Sequence, residues 1–319
     1  METGNDAGRH VVLGGAGAVG HAVIDELNRR GIKPVAVERA HPVAGAEMHA
    51  ADMLDPNETF DVLRCATHIY LCIGLAYRTD VWVHDWPRIM RNVSVAAERE
   101  GARVIFFDNI YCYGPAPLHN PITENHEQKP VSKKGQVRKE VADRLMNAHA
   151  EGKIRALIAR SADFYGPGAK NSLLQHLMLD RMHQGKAPVW PGDPDRPHSF
   201  TFVPDAGRAM VELALDEEAY GQVWHLPTDA PPWTPSNIGA ELGRLVGGPK
   251  IVTRPPKILA PLIPALRELG EVGYQFEHPY MFSDEKFRMR YPNFSVMSMR
   301  DGLHATVMAG QRTTSVMLH

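Results

Sequence analysis

Three glycines spaced three apart, Gly14, Gly17 and Gly20, follow the apolar run Val11-Val12-Leu13 and precede a helix-like segment ending near Arg30. That arrangement suits the binding of a dinucleotide pyrophosphate. Gly14 and Gly17 let the backbone turn tightly and approach the phosphates, and Gly20 lets the helix lie close to the strand. Backbone N–H groups at Ala18 and Val19, with the positive end of the helix dipole, would then hold the anion without a side chain. Further along, Glu38-Arg39 falls where the end of a second strand meets an adenosine ribose. A carboxylate there accepts from both ribose hydroxyls, whereas an arginine forks onto a 2′-phosphate. The pair favours NADP, with NAD as the alternative. Asp52 is a candidate acceptor for the adenine amino group, or else a local helix cap.

These groups need a layered scaffold. Apolar strand candidates recur at Pro34–Val37, Ile69–Ile73, Val104–Phe107 and Ala156–Ala159, alternating with amphipathic stretches at Ala22–Arg30, Trp86–Glu100 and Val137–His149. Alternation of this kind predicts an α/β chain: a Rossmann-type doubly wound parallel sheet with a smaller C-terminal substrate-binding lobe. The expected dinucleotide domain spans 1–165, its sheet completed by segments near 199–226 (Ser199–Val203 and Gln222–Leu226). The lobe takes 166–198 and 227–319, where proline-rich turns such as Pro191-Gly192-Asp193-Pro194 and Pro255-Pro256 dominate. It includes Arg267-Glu268-Leu269-Gly270.

Bulk properties narrow the class. With 319 residues, 44% of them hydrophobic, the chain can bury a large core. A net charge of −2 gives no long-range attraction for nucleic acid. Cys65, Cys72 and Cys112 lie in apolar surroundings and read as reduced core residues. No long apolar run suggests a membrane span or export signal, so the expected compartment is cytoplasmic. The 16 histidines lack metal-ligand spacing, and no metal site is expected.

The Gly14, Gly17, Gly20 turn, Asp52, Leu71-Cys72-Ile73-Gly74, Tyr113-Gly114-Pro115, Arg160, Tyr165-Gly166-Pro167-Gly168 and Phe202-Val203-Pro204-Asp205 together resemble the extended short-chain dehydrogenase/reductases of the NAD-dependent epimerase/dehydratase type. The resemblance implies that Cys72, Gly74, Lys134 and Arg138 also line the cofactor site. It also exposes a departure. The family's Ser or Thr, Tyr and Lys are replaced, on alignment, by Asn109, Lys134 and Arg138. The run Asp108–Pro115 with Lys134–Arg138 resembles a bacterial branch of tyrosine-less reductases, among them ketoreductases of angucyclinone-type polyketides. This implies an NAD(P)H-dependent ketoreductase of an aromatic or polycyclic ketone, in antibiotic biosynthesis.

Three proton sources are open for such a site: Lys134, whose ammonium is made a stronger acid by the like charge of Arg138 one turn away; Tyr111; or a phenol on the substrate. Asn109 would donate its amide to the carbonyl oxygen. Arg138 is assigned to the nicotinamide ribose or a carboxylate partner, with a surface salt bridge as the alternative. Trp82, Trp86, Tyr165, Trp190, Trp224 and Phe276 offer one or two faces for a flat ligand. Asp163 stands where sugar-nucleotide enzymes resembling this chain carry an asparagine, and a carboxylate there disfavours a diphosphate. The competing expectations are a nucleotide-sugar epimerase or dehydratase and a noncatalytic NADP-binding sensor. Helix Val137–His149 offers a homodimer surface.

Overall fold

The computed structural model describes residues 8–39, 42–254 and 270–316. Pro255-Pro256 and Arg267-Glu268-Leu269 lie outside them. Two compact units emerge: unit 1 comprises Met1–Asn109, Gln136–Arg160 and Ala206–Trp224, and unit 2 comprises Ile110–Gly135, Ser161–Asp205 and His225–His319. The segment 110–135, which the sequence suggests for the dinucleotide domain, therefore groups with the second unit.

Unit 1 is built on a seven-stranded sheet. Strands β1 (His10–Leu13), β2 (Pro34–Glu38), β3 (Glu47–Ala50), β4 (His68–Leu71), β5 (Arg103–Asp108), β6 (Arg155–Arg160) and β9 (Val223–His225) run in the order β3-β2-β1-β4-β5-β6-β9. Neighbours from β3 through β6 pair in parallel. The four residues of β1 and of β4 are all buried, as expected of strands covered on both faces by helices. From β1 the chain steps outward to β2 and β3, then returns to β4 on the other side of β1. The order reverses there, and the carboxyl ends of β1 and β4 flank the switch point where α/β sheets bind ligands.

Helices α1 (Ala18–Arg29), α2 (Pro56–Leu63), α3 (Thr79–Glu100) and α4 (Lys133–Ala150) make the crossovers. Helix α3 begins seven residues before the expected Trp86. Pro87 suits a first helical turn and so suggests a start there, but it lies inside the helix. Trp82 and Trp86, one turn apart and both buried, extend the apolar face backwards. Cys72 and Cys112 are buried, but Cys65 is exposed: it occupies the turn after α2 with φ 59°, beyond the reach of the core.

In unit 2, β7 (Asp163–Tyr165) pairs in parallel with β8 (Phe200–Phe202) as a separate two-stranded sheet. Ser199–Val203 thus does not return to the central sheet as expected; its register is to Asp163–Tyr165, and only Gln222–Leu226 supplies a strand, β9, to the large sheet. The unit also holds α5 (Asp180–His183), α7 (Pro235–Val246), a 3₁₀ segment Gly270–Phe276, α8 (Glu285–Arg290) and α9 (Met299–Val316), while α6 (Val203–Ala214) crosses the boundary between units. Among the described residues no helix is long and apolar enough to cross a membrane.

Candidate functional site

The glycine turn closes directly over β4. Gly14 has φ 82°, and a Cβ there would lie 2.9 Å from the carbonyl oxygen of Cys72 and the Cα of Ile73. At Gly20 a Cβ would lie 2.2 Å from the carbonyl oxygen of Gly14. Neither space admits a side chain, so α1 starts against the end of β1. Gly17 caps α1 with no side-chain hydrogen bond, and Ala16 and Gly17 are exposed. A helix N-terminus with free backbone donors in a cradle too tight for any Cβ fits a dinucleotide pyrophosphate.

The flanking candidates fall around this cradle. Glu38 ends β2 half-buried and Arg39 follows it, exposed. Asp52 is half-buried and accepts from the Leu54 N–H at 3.0 Å with Oδ1, a local turn; the cap of α2 is Asp55, which accepts from Asn57 and Glu58. Cys72 follows β4, and burial raises its thiol pKa, so it stays a neutral packing group. Gly74 is exposed two residues on.

Asn109 follows β5, and Lys134 and Arg138 lie near the start of α4. Arg138 is only 3% exposed. Its Nε and Nη2 donate to Asp108 Oδ1 at 2.7 and 2.6 Å, and Nη2 reaches the Phe107 carbonyl at 3.1 Å. The guanidinium lies over Trp86 at 4.4 Å and Phe106 at 4.7 Å. Arg160 donates to the other Asp108 oxygen at 3.0 Å. Of the readings open for Arg138, the carboxylate partner is the one found: its fork is spent on a buried carboxylate at the end of β5, under aromatic rings, and not on a surface salt bridge.

Asn109 is the first residue beyond β5 and half-buried. Lys134 is 1% exposed, in the first turn of α4. That turn is capped by Ser132, whose Oγ accepts from the Gly135 N–H at 3.0 Å. A Cβ on Gly135 would lie 2.3 Å from the Tyr111 carbonyl, so this glycine lets the segment after β5 pass close to α4. Tyr111 itself is half-buried.

In unit 2, His198 Nε2 donates to Asp163 Oδ2 at 2.7 Å. The imidazole stacks between Tyr280 (4.3 Å) and Phe276 (5.6 Å). His225 is fully buried: Nδ1 donates to the Ser283 carbonyl at 2.8 Å, which leaves Nε2 to accept from the Tyr113 hydroxyl at 2.7 Å. The six aromatic candidates, Trp82, Trp86, Tyr165, Trp190, Trp224 and Phe276, are all buried; the rings of five pack on one another or on neighbouring rings, and Trp224 donates its indole N–H to the Ala219 carbonyl at 2.8 Å. No group of three or more metal-ligating side chains occurs among the described residues.

Sequence reasoning missed Asp108 and Ser132. A lone carboxylate ending a buried strand was a usable signal for Asp108.

The fold is shared with solved nucleotide-sugar enzymes. MoeE5 in complex with UDP-glucose and NAD superposes with a TM-score of 0.78 at 18% identity, over 96% of this chain and 100% of that one. The UDP-glucose 4-epimerase of Thermotoga maritima, solved with UDP-glucose, gives 0.78 at 18% identity over 96% and 99%. Bordetella bronchiseptica WbmG, solved with NAD and UDP, gives 0.76 at 17% identity over 98% and 96%. No curated protein sequence matches. The family profile described as NAD dependent epimerase/dehydratase aligns with residues 10–225, two thirds of the chain. The chain belongs to the NAD dependent epimerase/dehydratase family.

Proposed function

We propose that the protein is an NAD(P)-dependent oxidoreductase acting on a hydroxyl- or carbonyl-bearing carbon of a nucleotide sugar, without the family's Tyr and Lys. The observation that carries this reading is the Gly14–Gly20 cradle at the switch point between β1 and β4. The neighbours solved with NAD and UDP-glucose or UDP support the substrate class. A bound nicotinamide supplies the hydride acceptor or donor. The chain's part is to hold the pyrophosphate at Gly14, Gly17, Ala18, Val19 and Gly20, to select the adenosine end with Glu38, Arg39 and Asp52, and to polarise the substrate oxygen with the Asn109 amide. Lys134 and Tyr111 are the side chains proposed to move the proton. The charge objection to a diphosphate weakens, because Asp163 is hydrogen-bonded by His198.

A second reading keeps the aromatic or polycyclic polyketide ketone as substrate. It is favoured by Arg138, which is locked to Asp108 and cannot assist a phenol in the way the family's lysine does; a substrate with its own phenol would bypass that need. Incubation with NAD⁺ or NADP⁺ and a panel of UDP-hexoses, read by NMR for epimer or keto product, tests the first reading. NADPH oxidation by hydroxy-aromatic ketones, with the phenol free or methylated, tests the second.

A further inference from the structure

Asp52 is held at both of its backbone polar groups. Its N–H donates to the Glu58 carboxylate (Oε2) at 2.7 Å, and its carbonyl accepts from the Asp55 N–H at 2.9 Å. Oδ1 accepts from the Leu54 N–H at 3.0 Å, so one carboxylate oxygen is spent inside the bend. Helix α3 supports the same bend: buried Asn92 donates Nδ2 to the Met53 carbonyl at 3.0 Å, and Arg88 reaches the Leu54 carbonyl at 3.4 Å. The Ala51 N–H donates to the Glu38 carbonyl at 3.3 Å, which ties Asp52 to the end of β2.

Glu58 does not act as a simple capping residue. Asp55 caps α2 and Glu58 is its third helical residue, the spacing at which a glutamate returns to the N–H of the cap residue. Here the Asp55 N–H already serves the Asp52 carbonyl, and the Glu58 carboxylate passes on to the N–H of Asp52. The helix start is satisfied by Asp55 alone, which accepts from the Asn57 and Glu58 N–H groups at 2.7 and 3.1 Å. The Glu58 side chain therefore orders the bend rather than the helix.

The consequence falls on Asp52 Oδ2, the oxygen that no described residue engages. An acceptor fixed in place receives the amino group of adenine and rejects the carbonyl that hypoxanthine carries at the same position. We infer that Glu58 is a positioning residue for adenine recognition: its bond to the Asp52 N–H aims the Asp52 carboxylate and sets the preference for an adenine dinucleotide over its hypoxanthine analogue. This role rests on the reading that gives Asp52 the adenosine end of the cofactor.

Fluorescence titration with NADH and reduced nicotinamide hypoxanthine dinucleotide, or with the 2′-phosphorylated pair if NADPH binds tighter, tests it on wild type, Asp52→Ala, Glu58→Ala and Glu58→Gln. Wild type is expected to prefer the adenine form about tenfold or more, and Asp52→Ala to remove the preference. Glu58→Ala should shrink it about three- to tenfold, the size of one net hydrogen bond, through weaker binding of the adenine form. Glu58→Gln, whose amide oxygen still accepts, should recover most of it. A preference abolished by Asp52→Ala but intact in Glu58→Ala overturns the positioning role and leaves the adenine reading standing. Equal weakening of both dinucleotides in Glu58→Ala marks a merely structural role and also overturns it. A preference absent from wild type or untouched by Asp52→Ala, or no binding of either form, overturns the adenine reading and the positioning role together.

Discussion

Arg138 forks onto Asp108 Oδ1 at 2.6 and 2.7 Å while its guanidinium face rests on Trp86, so this arginine is a buried brace between β5 and α4. Asn109 follows Asp108 directly, so the brace fixes the residue assigned to polarise the substrate. Removing one partner of a buried pair leaves an uncompensated charge. Arg138→Met is expected to cost about 3–5 kcal/mol in urea denaturation. Arg138→Lys, which keeps the charge, is expected to lose about 1.5–3 kcal/mol, since an ammonium neither forks nor stacks as a guanidinium does. A lysine variant as stable as wild type would show that the brace is dispensable.

At the cofactor cradle, Gly20→Ala places a methyl group 2.2 Å from the Gly14 carbonyl oxygen. The backbone must shift by more than a core can absorb freely, at a cost of about 1–3 kcal/mol. NADH fluorescence titration should show affinity lowered by about tenfold or more as the N–H groups leave register. A folded variant that binds NADH normally would place the pyrophosphate elsewhere.

Specificity at the adenosine end is assigned to the pair Glu38 and Arg39. If NADP is preferred, Arg39→Ala weakens NADPH about tenfold through loss of a charge-assisted contact and spares NADH. Equal losses for both cofactors, or none, would reassign the arginine to the solvated end of β2.

Acid should act on α1 through Glu26. Burial pushes this carboxyl up, but hydrogen bonds and charge from Arg29 and Arg30 outweigh it and hold the pKa below its ordinary value of 4.5. A depressed folded pKa means that stability from this group is full above the unfolded value and lost as pH falls through the folded one. Glu26→Gln should therefore lower stability at neutral pH and flatten the acid limb below about pH 4.5 in thermal melts. A variant with an unaltered acid limb would assign that limb to other carboxylates.

The cradle was legible in sequence because every contact it needs is local: an apolar strand, three glycines and a helix within Val11–Arg30. The main strands were legible for a related reason, since residues buried on both faces form unbroken apolar runs. A carboxylate partner for Arg138 was among the readings open in sequence, but its identity was not legible, because Asp108 lies thirty positions away and no pattern links them. Ser199–Val203 was apolar enough for a central strand, but which sheet it joins is set by its pairing with Asp163–Tyr165, a nonlocal choice.

Hydride transfer to or from a nucleotide sugar is the central claim, and one experiment bears on it most directly: the purified protein, loaded with NAD⁺ or NADP⁺, is mixed with UDP-hexoses while nicotinamide absorbance and product NMR are followed. The account predicts tight cofactor binding, and a new sugar epimer or keto-sugar that Lys134→Met or Tyr111→Phe suppresses. Tight cofactor binding with every UDP-hexose unchanged, alongside turnover of a hydroxy-aromatic ketone, would contradict it.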